Sequence, residues 1–218
     1  MVKLAAFFGN PGIKYSQNRH NAGWLLAQSL PFYQSLSWQK KFKGLFAAYN
    51  DNYFLMPQTF MNLSGEAVFA AASFYKIKME EIIVVHDELE LPLGTISLKF
   101  GGGLGGHNGL RSMQKCFGNA DCWRLRIGIG RPPEGVVYDW VLSDFSNTDL
   151  EELYPALNAG VNLLQQTFTC DPDTLLDEWK KKKISIQNII NNNDNIVVED
   201  NISNNGSAPL RLCENKKD

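Results

Sequence analysis

Short apolar runs of strand length alternate along this chain with segments of helical period, and that alternation restricts it to an α/β architecture. Residues 3–9 form a buried run that stops in the turn Gly9-Asn10-Pro11-Gly12. Residues 22–30 suit a short helix, and 44–50 with 53–56 flank Asp51-Asn52 as a hairpin. The alanine-rich stretch 65–75 predicts a helix, 82–85 a short strand, 95–100 a further strand and 108–116 a helix. Residues 123–129 alternate again. The strongest helical signal is 148–168, where Leu150, Leu153, Tyr154, Leu157, Val161, Leu164 and Phe168 make one apolar stripe. The hairpin predicts a mixed rather than an all-parallel central sheet.

At 218 residues the chain suits one well-buried domain. We place it at 1–183, because residues 184–218 lose all amphipathic period and nine of those 35 are asparagine. That composition predicts a disordered tail. No run reaches the roughly 18 apolar residues of a membrane span. The apolar residues 4–8 are too few for a signal peptide, so the expected location is the cytoplasm, with no membrane partner. The net charge of −2 includes −2 from the tail, which leaves a neutral body that can still carry a basic face. Cys116, Cys122, Cys170 and Cys213 show no CxxC spacing, and read as core or surface thiols rather than zinc ligands or a disulfide framework.

The chain has three histidines, and all lie where elements end. Arg19-His20-Asn21 precedes a helix, His86-Asp87-Glu88 follows a strand, and His107-Asn108 opens a helix after a glycine cluster. Strand ends are where α/β folds place their sites. Two chemistries fit: a histidine base oriented by a carboxylate such as Asp87, or a metal held by the histidines with Asp87 or Glu88. Nothing matches the close spacing of an HExxH motif, so the base reading leads and no metal is expected. No GxSxG elbow is present either, which favours attack by an activated water. Gly101–Gly106 satisfies GxGxxG between a strand and a helix, but the acidic residue expected at the end of the next strand is missing. A closely approachable loop is the better reading, and no nucleotide cofactor is expected. Lys99, Arg111, Lys115, Arg124, Arg126 and Arg131 lie near these segments; Arg124 and Arg126, two apart on one strand, would share a face able to meet phosphate.

Taken in order, these segments resemble the bacterial peptidyl-tRNA hydrolase family. The matching blocks are Gly9-Asn10-Pro11-Gly12 with Tyr15, Arg19-His20-Asn21-Ala22-Gly23, and the run from Pro57 through Met61-Asn62 to Gly65. They continue with His86-Asp87-Glu88-Leu89, the glycine loop with His107-Asn108-Gly109-Leu110, and Arg124 to Gly130. The resemblance spans residues 1 to about 180. It implies a monomeric three-layer α/β/α domain with a twisted, mixed central sheet. It also implies hydrolysis of the ester in N-blocked peptidyl-tRNA, with no cofactor, to recycle tRNA from stalled translation. By that likeness His20 is the base that activates water and Asp87 orients it. Asn10 and Asn62 hold the substrate and the developing oxyanion, and Asn108 places the water. Met61, Tyr15 and His107 line the cleft, while Lys99 and Arg126 clamp a tRNA phosphate. A non-catalytic RNA-binding relative is the alternative, but a binder has no need of a base–carboxylate pair. Leu104 departs from the family pattern, which often has a polar residue in the glycine loop.

Overall fold

Alternation along the strands divides the apolar residues between two cores, one on each face of a single sheet. In the computed structural model, which describes residues 1–132 and 134–184, the strands are β1 (Leu4–Phe7), β2 (Gln39–Lys41), β3 (Gly44–Tyr49), β4 (Asn52–Pro57), β5 (Ile82–Glu88), β6 (Thr95–Phe100), β7 (Trp123–Gly128) and β8 (Lys182–Lys183). They form one eight-stranded sheet in the order β2-β3-β4-β1-β5-β7-β6-β8. The neighbouring strands β4, β1, β5 and β7 are parallel, and antiparallel strands flank them on both sides. The sheet is therefore mixed, as expected.

The helices are α1 (Ala22–Gln28), α2 (Ser64–Tyr75), α3 (Asn108–Phe117), α4 (Val137–Val141), α5 (Asn147–Thr169) and α6 (Leu176–Trp179). Ala5 and Phe7 of β1 and Ile83 and Val85 of β5 enter a core with Leu26 of α1 and Leu153, Leu157 and Leu164 of α5. The intervening Leu4, Ala6, Ile82 and Val84 enter the opposite core, with Ala67, Val68 and Ala71 of α2 and Leu110 and Met113 of α3. Burial on both sides explains why β1 is apolar at every position, as parallel strands between two helical layers are. Small residues set the spacing of these layers. A Cβ at Gly23 would lie 2.5 Å from the carbonyl oxygens of Phe8 and Val85, and one at Gly65 would lie 2.4 Å from that of Ser112. Helix α1 thus sits directly on the sheet, and α2 directly on α3.

The hairpin β3–β4 turns at Asn50-Asp51, one residue earlier than the sequence suggests. Both residues have positive φ, 47° and 62°, as a two-residue hairpin of the favoured twist requires. Cys116 and Cys122 are free thiols, as expected, whereas Cys170 is disulfide-bonded, contrary to that expectation. The asparagine-rich tail lies, apart from Ile184, outside the described residues.

Candidate active site

Four parallel strands end along one edge of the sheet, and the site is assembled there. Asp87 is the penultimate residue of β5. His20 sits in the turn Arg19–Asn21 that feeds α1, and His107 caps the N-terminus of α3. The three side chains meet although 67 and 20 residues separate the histidines from Asp87.

Hydrogen bonding fixes the proton on each imidazole. Asp87 is an acceptor, so His20 donates Nδ1–H to its Oδ1 at 2.8 Å, which leaves Nε2 with a lone pair. His107 uses Nδ1 to accept the backbone N–H groups of Gly109 and Leu110 at 3.1 and 3.4 Å, which satisfies two orphan donors of α3. Its proton therefore resides on Nε2, which donates to the same Oδ1 of Asp87 at 3.1 Å. His86 is buried and turns away from the carboxylate; its Nδ1–H donates to the Asp87 carbonyl at 2.6 Å.

The electrostatics follow from this pattern. Burial works against a charged His20, but the Asp87 charge and the hydrogen bond to it outweigh that and raise the imidazole above its ordinary value. Burial alone would raise Asp87; His20 and His107 overcome it and hold the carboxyl well below the usual carboxylate range. His86 moves the other way, well below an ordinary histidine, through burial and then its neighbour His107. It stays neutral. Ligand-capable atoms of His20, Asp87 and His107 lie within 4.8 Å of one another, close enough to hold a metal ion. The proton on His107 Nε2 makes that atom a donor to Asp87 rather than a free ligand, and His86 stands outside the group.

These residues form the floor of a cleft of about 350 Å³. Asn108, Arg111 and Arg131 supply polar lining; Leu89, Leu104, Val137, Tyr138 and Val141 supply an apolar wall. Asn10, Met61, Tyr15 and Asn62 are not lining residues of this cleft, but two of them are tied together. The Met61 backbone N–H donates to Asn10 Oδ1 at 2.8 Å, so the Asn10 amide is fixed with its oxygen inward. Asn21 grips the Asn10 backbone from both sides, at 2.9 and 3.0 Å. No motif assigns Asn21 this role, and its place between His20 and Ala22 in the matched block is the one sequence signal for it. Tyr15 meets Phe60 edge to face at 6.5 Å, and Asn62 is exposed.

Arg124 and Arg126 do different work despite their spacing. Arg124 is buried and donates to the carbonyls of Gly102, Gly103 and Ala120, so it fastens the glycine loop and is not a phosphate ligand. Arg126 donates to Ser97 Oγ at 2.7 Å and lies 3.5 Å from Glu88, which itself lines the cleft. Lys99, half-buried, sits against Gly102 of that loop.

Comparison with known proteins identifies the family. A family model described as peptidyl-tRNA hydrolase matches residues 4–187. The chain is 44% identical over 195 residues to the peptidyl-tRNA hydrolase of Treponema pallidum, covering 84% of this chain and 96% of that protein. It is 45% identical over 180 residues to that of Coxiella burnetii, covering 81% and 96%. The crystal structure of peptidyl-tRNA hydrolase from Acinetobacter baumannii superposes with a TM-score of 0.76 at 33% identity, over 82% of this chain and 96% of that one. Matched by the family model through its whole described core, and by two curated members that it covers almost completely, the chain belongs to the peptidyl-tRNA hydrolase family.

Proposed function

We propose that this protein hydrolyses the ester between a peptide and tRNA by base-activated attack of water, with His20 as the base. The observation that carries the reading is the His20–Asp87 hydrogen bond, which in the neutral imidazole keeps the proton on Nδ1 and leaves Nε2 as the acceptor in a cleft. In this reading Nε2 takes a proton from water as the oxygen attacks the ester carbonyl. The same imidazolium then returns a proton to the departing ribose oxygen. Asp87 holds the tautomer and stabilises the imidazolium without being protonated itself. His107 shares its carboxylate oxygen and keeps it from rotating.

Asn10, its oxygen bound by Met61, offers its NH₂ end to the substrate carbonyl oxygen as negative charge develops there. Asn62 joins it when the exposed pair Asn62–Leu63 meets substrate. Asn108 positions the water, and Tyr15 and Met61 bound the substrate path. Lys99 and Arg126 take a tRNA phosphate, with Arg126 exchanging its Glu88 contact for that anion. An ester needs no more than a positioned base and oriented donors, so no step calls on a metal or cofactor. We assign this activity to the body of the chain, residues 1–183, acting as a monomer in the cytoplasm. Among the described residues no helix is long and apolar enough to cross a membrane.

The spacing of His20, Asp87 and His107 gives a metal-dependent hydrolase as the second reading. Release of tRNA from N-acetyl-aminoacyl-tRNA, measured with and without EDTA for the wild type and His20→Ala, separates the possibilities. Turnover that survives EDTA and is lost in His20→Ala is the expected result. Turnover abolished by EDTA and restored by a divalent ion would replace the base with a metal. A folded wild type that binds tRNA but never cleaves would make this an RNA-binding relative.

A further inference from the structure

Helix α4 supplies Val137, Tyr138 and Val141 to the wall of the cleft, yet none of its residues is fully buried. Tyr138 is 67% exposed, and Val136 just before the helix is 63% exposed. Five residues make too few internal hydrogen bonds to hold a helix by themselves. Trp140 Nε1 ties it to the Gly130 carbonyl at 2.8 Å, and the second fixture is Arg19, a 5% exposed residue immediately before His20.

Its guanidinium lies over the rings of Trp140 and Phe145, 3.9 and 4.9 Å from their centroids. From the same plane Nε donates to Ser143 Oγ at 3.2 Å and Nη2 donates to Asp149 Oδ2 at 2.7 Å. Asp149 belongs to the capping box that starts α5 with Ser146. The backbone adds to this junction: Arg19 N–H donates to the Ser143 carbonyl at 3.0 Å, and Phe145 N–H to that of Gln17 at 3.2 Å. Asn18 donates to Asp144 Oδ1 at 2.6 Å. Residues 17–19 therefore gather the end of α4, the link after it and the start of α5, and the next residue along the chain is the proposed base. Only an arginine can stack on two rings while its edges pair with a hydroxyl and a carboxylate; a lysine is a point charge with no such plane.

We propose that Arg19 is a positioning residue: it holds α4 as the wall of the cleft against the turn that carries His20, so wall and base are set together. Its kinetic consequence rests on the esterase reading, whereas its conformational consequence does not. The test uses the full chain with Arg19→Lys and Arg19→Gln, and Asp149→Asn as a milder change that keeps the stack. Three quantities are read: KM and kcat on N-acetyl-aminoacyl-tRNA, protease cleavage within residues 134–142, and melting temperature. Both Arg19 variants should raise KM about tenfold, the size of a buried cation–π contact. The same variants should lower kcat less, leave the acid limb of the pH profile in place and speed cleavage of 134–142. Failure of lysine to rescue separates the stacked plane from mere charge, and Asp149→Asn should fall between lysine and wild type. Unchanged KM and unchanged protease resistance in a folded Arg19→Gln would overturn the proposal. So would a melting temperature that falls while KM stays put, which would leave Arg19 a fold residue alone. A moved acid limb would shift its action from the wall to the His20 proton. Should the wild type itself show no turnover, the esterase reading fails, and cleavage of 134–142 still decides what holds α4.

Discussion

The floor and the wall of the cleft are built by opposite means. On the floor, His20, Asp87 and His107 are largely withdrawn from solvent and every bond among them has a defined donor. The wall at α4 has no fully buried residue and hangs on contacts made by its far end. Reacting groups need fixed geometry, because a base must meet a water at hydrogen-bond distance. On the proposed reading the wall meets the substrate chain, where exposed side chains supply contact area and no chemistry. On that reading chemistry and recognition share one cleft but sit on different elements, the first on strand and helix ends and the second on a short helix.

Breaking the floor should cost most. His20→Ala removes the proposed base and should lower kcat by about 10²–10⁴-fold with little change in KM, read by steady-state release of tRNA. Asn10→Ala should lower kcat by about 10²-fold, through loss of a donor to the oxyanion and of the Met61 N–H acceptor. It should also cost about 1–3 kcal/mol of stability by denaturant melts, since it strands that buried amide. Effects on the periphery should be smaller and fall on binding. Arg126→Gln should raise KM several-fold and flatten its dependence on salt, because one phosphate contact is lost. On the wall, Tyr138→Ala should raise KM only a few-fold and leave kcat and the melting temperature unchanged, as expected of a largely exposed ring. A kcat loss at Tyr138 as large as that at Asn10 would erase the distinction between floor and wall.

The same contrast explains what could be read in the sequence. The amphipathic stripe of α5 and the alternation of β6 are local patterns that tertiary structure only had to accept, and both elements fall where those patterns place them. The site histidines were legible because each adjoins turn-forming residues at an element's end. Helix α4 was not, since 134–146 carries no period and much of its hold comes from Arg19, more than 100 residues earlier. Strand β2 was missed for a related reason. It turns into β3 through Phe42 and Lys43 at φ 52° and 55°, in residues that give no turn signal. Spacing put Arg124 and Arg126 on one face, but it could not show that the glycine loop folds back to place carbonyls over Arg124 and not over Arg126. Contacts set by chain return leave no trace in local pattern.

The central claim is that Asp87 tunes and holds His20 as the base. It is tested most directly by the pH dependence of kcat/KM for the wild type beside Asp87→Asn. A base must be neutral to accept a proton, so activity rises with pH through the His20 pKa. Because Asp87 stabilises the imidazolium, the wild-type acid limb should lie above the ordinary histidine value of about 6.5. Asp87→Asn should lower the plateau and move the limb to lower pH, since the charge that raised the pKa is gone. A limb that stays in place in Asp87→Asn, or one that moves upward, would contradict the account.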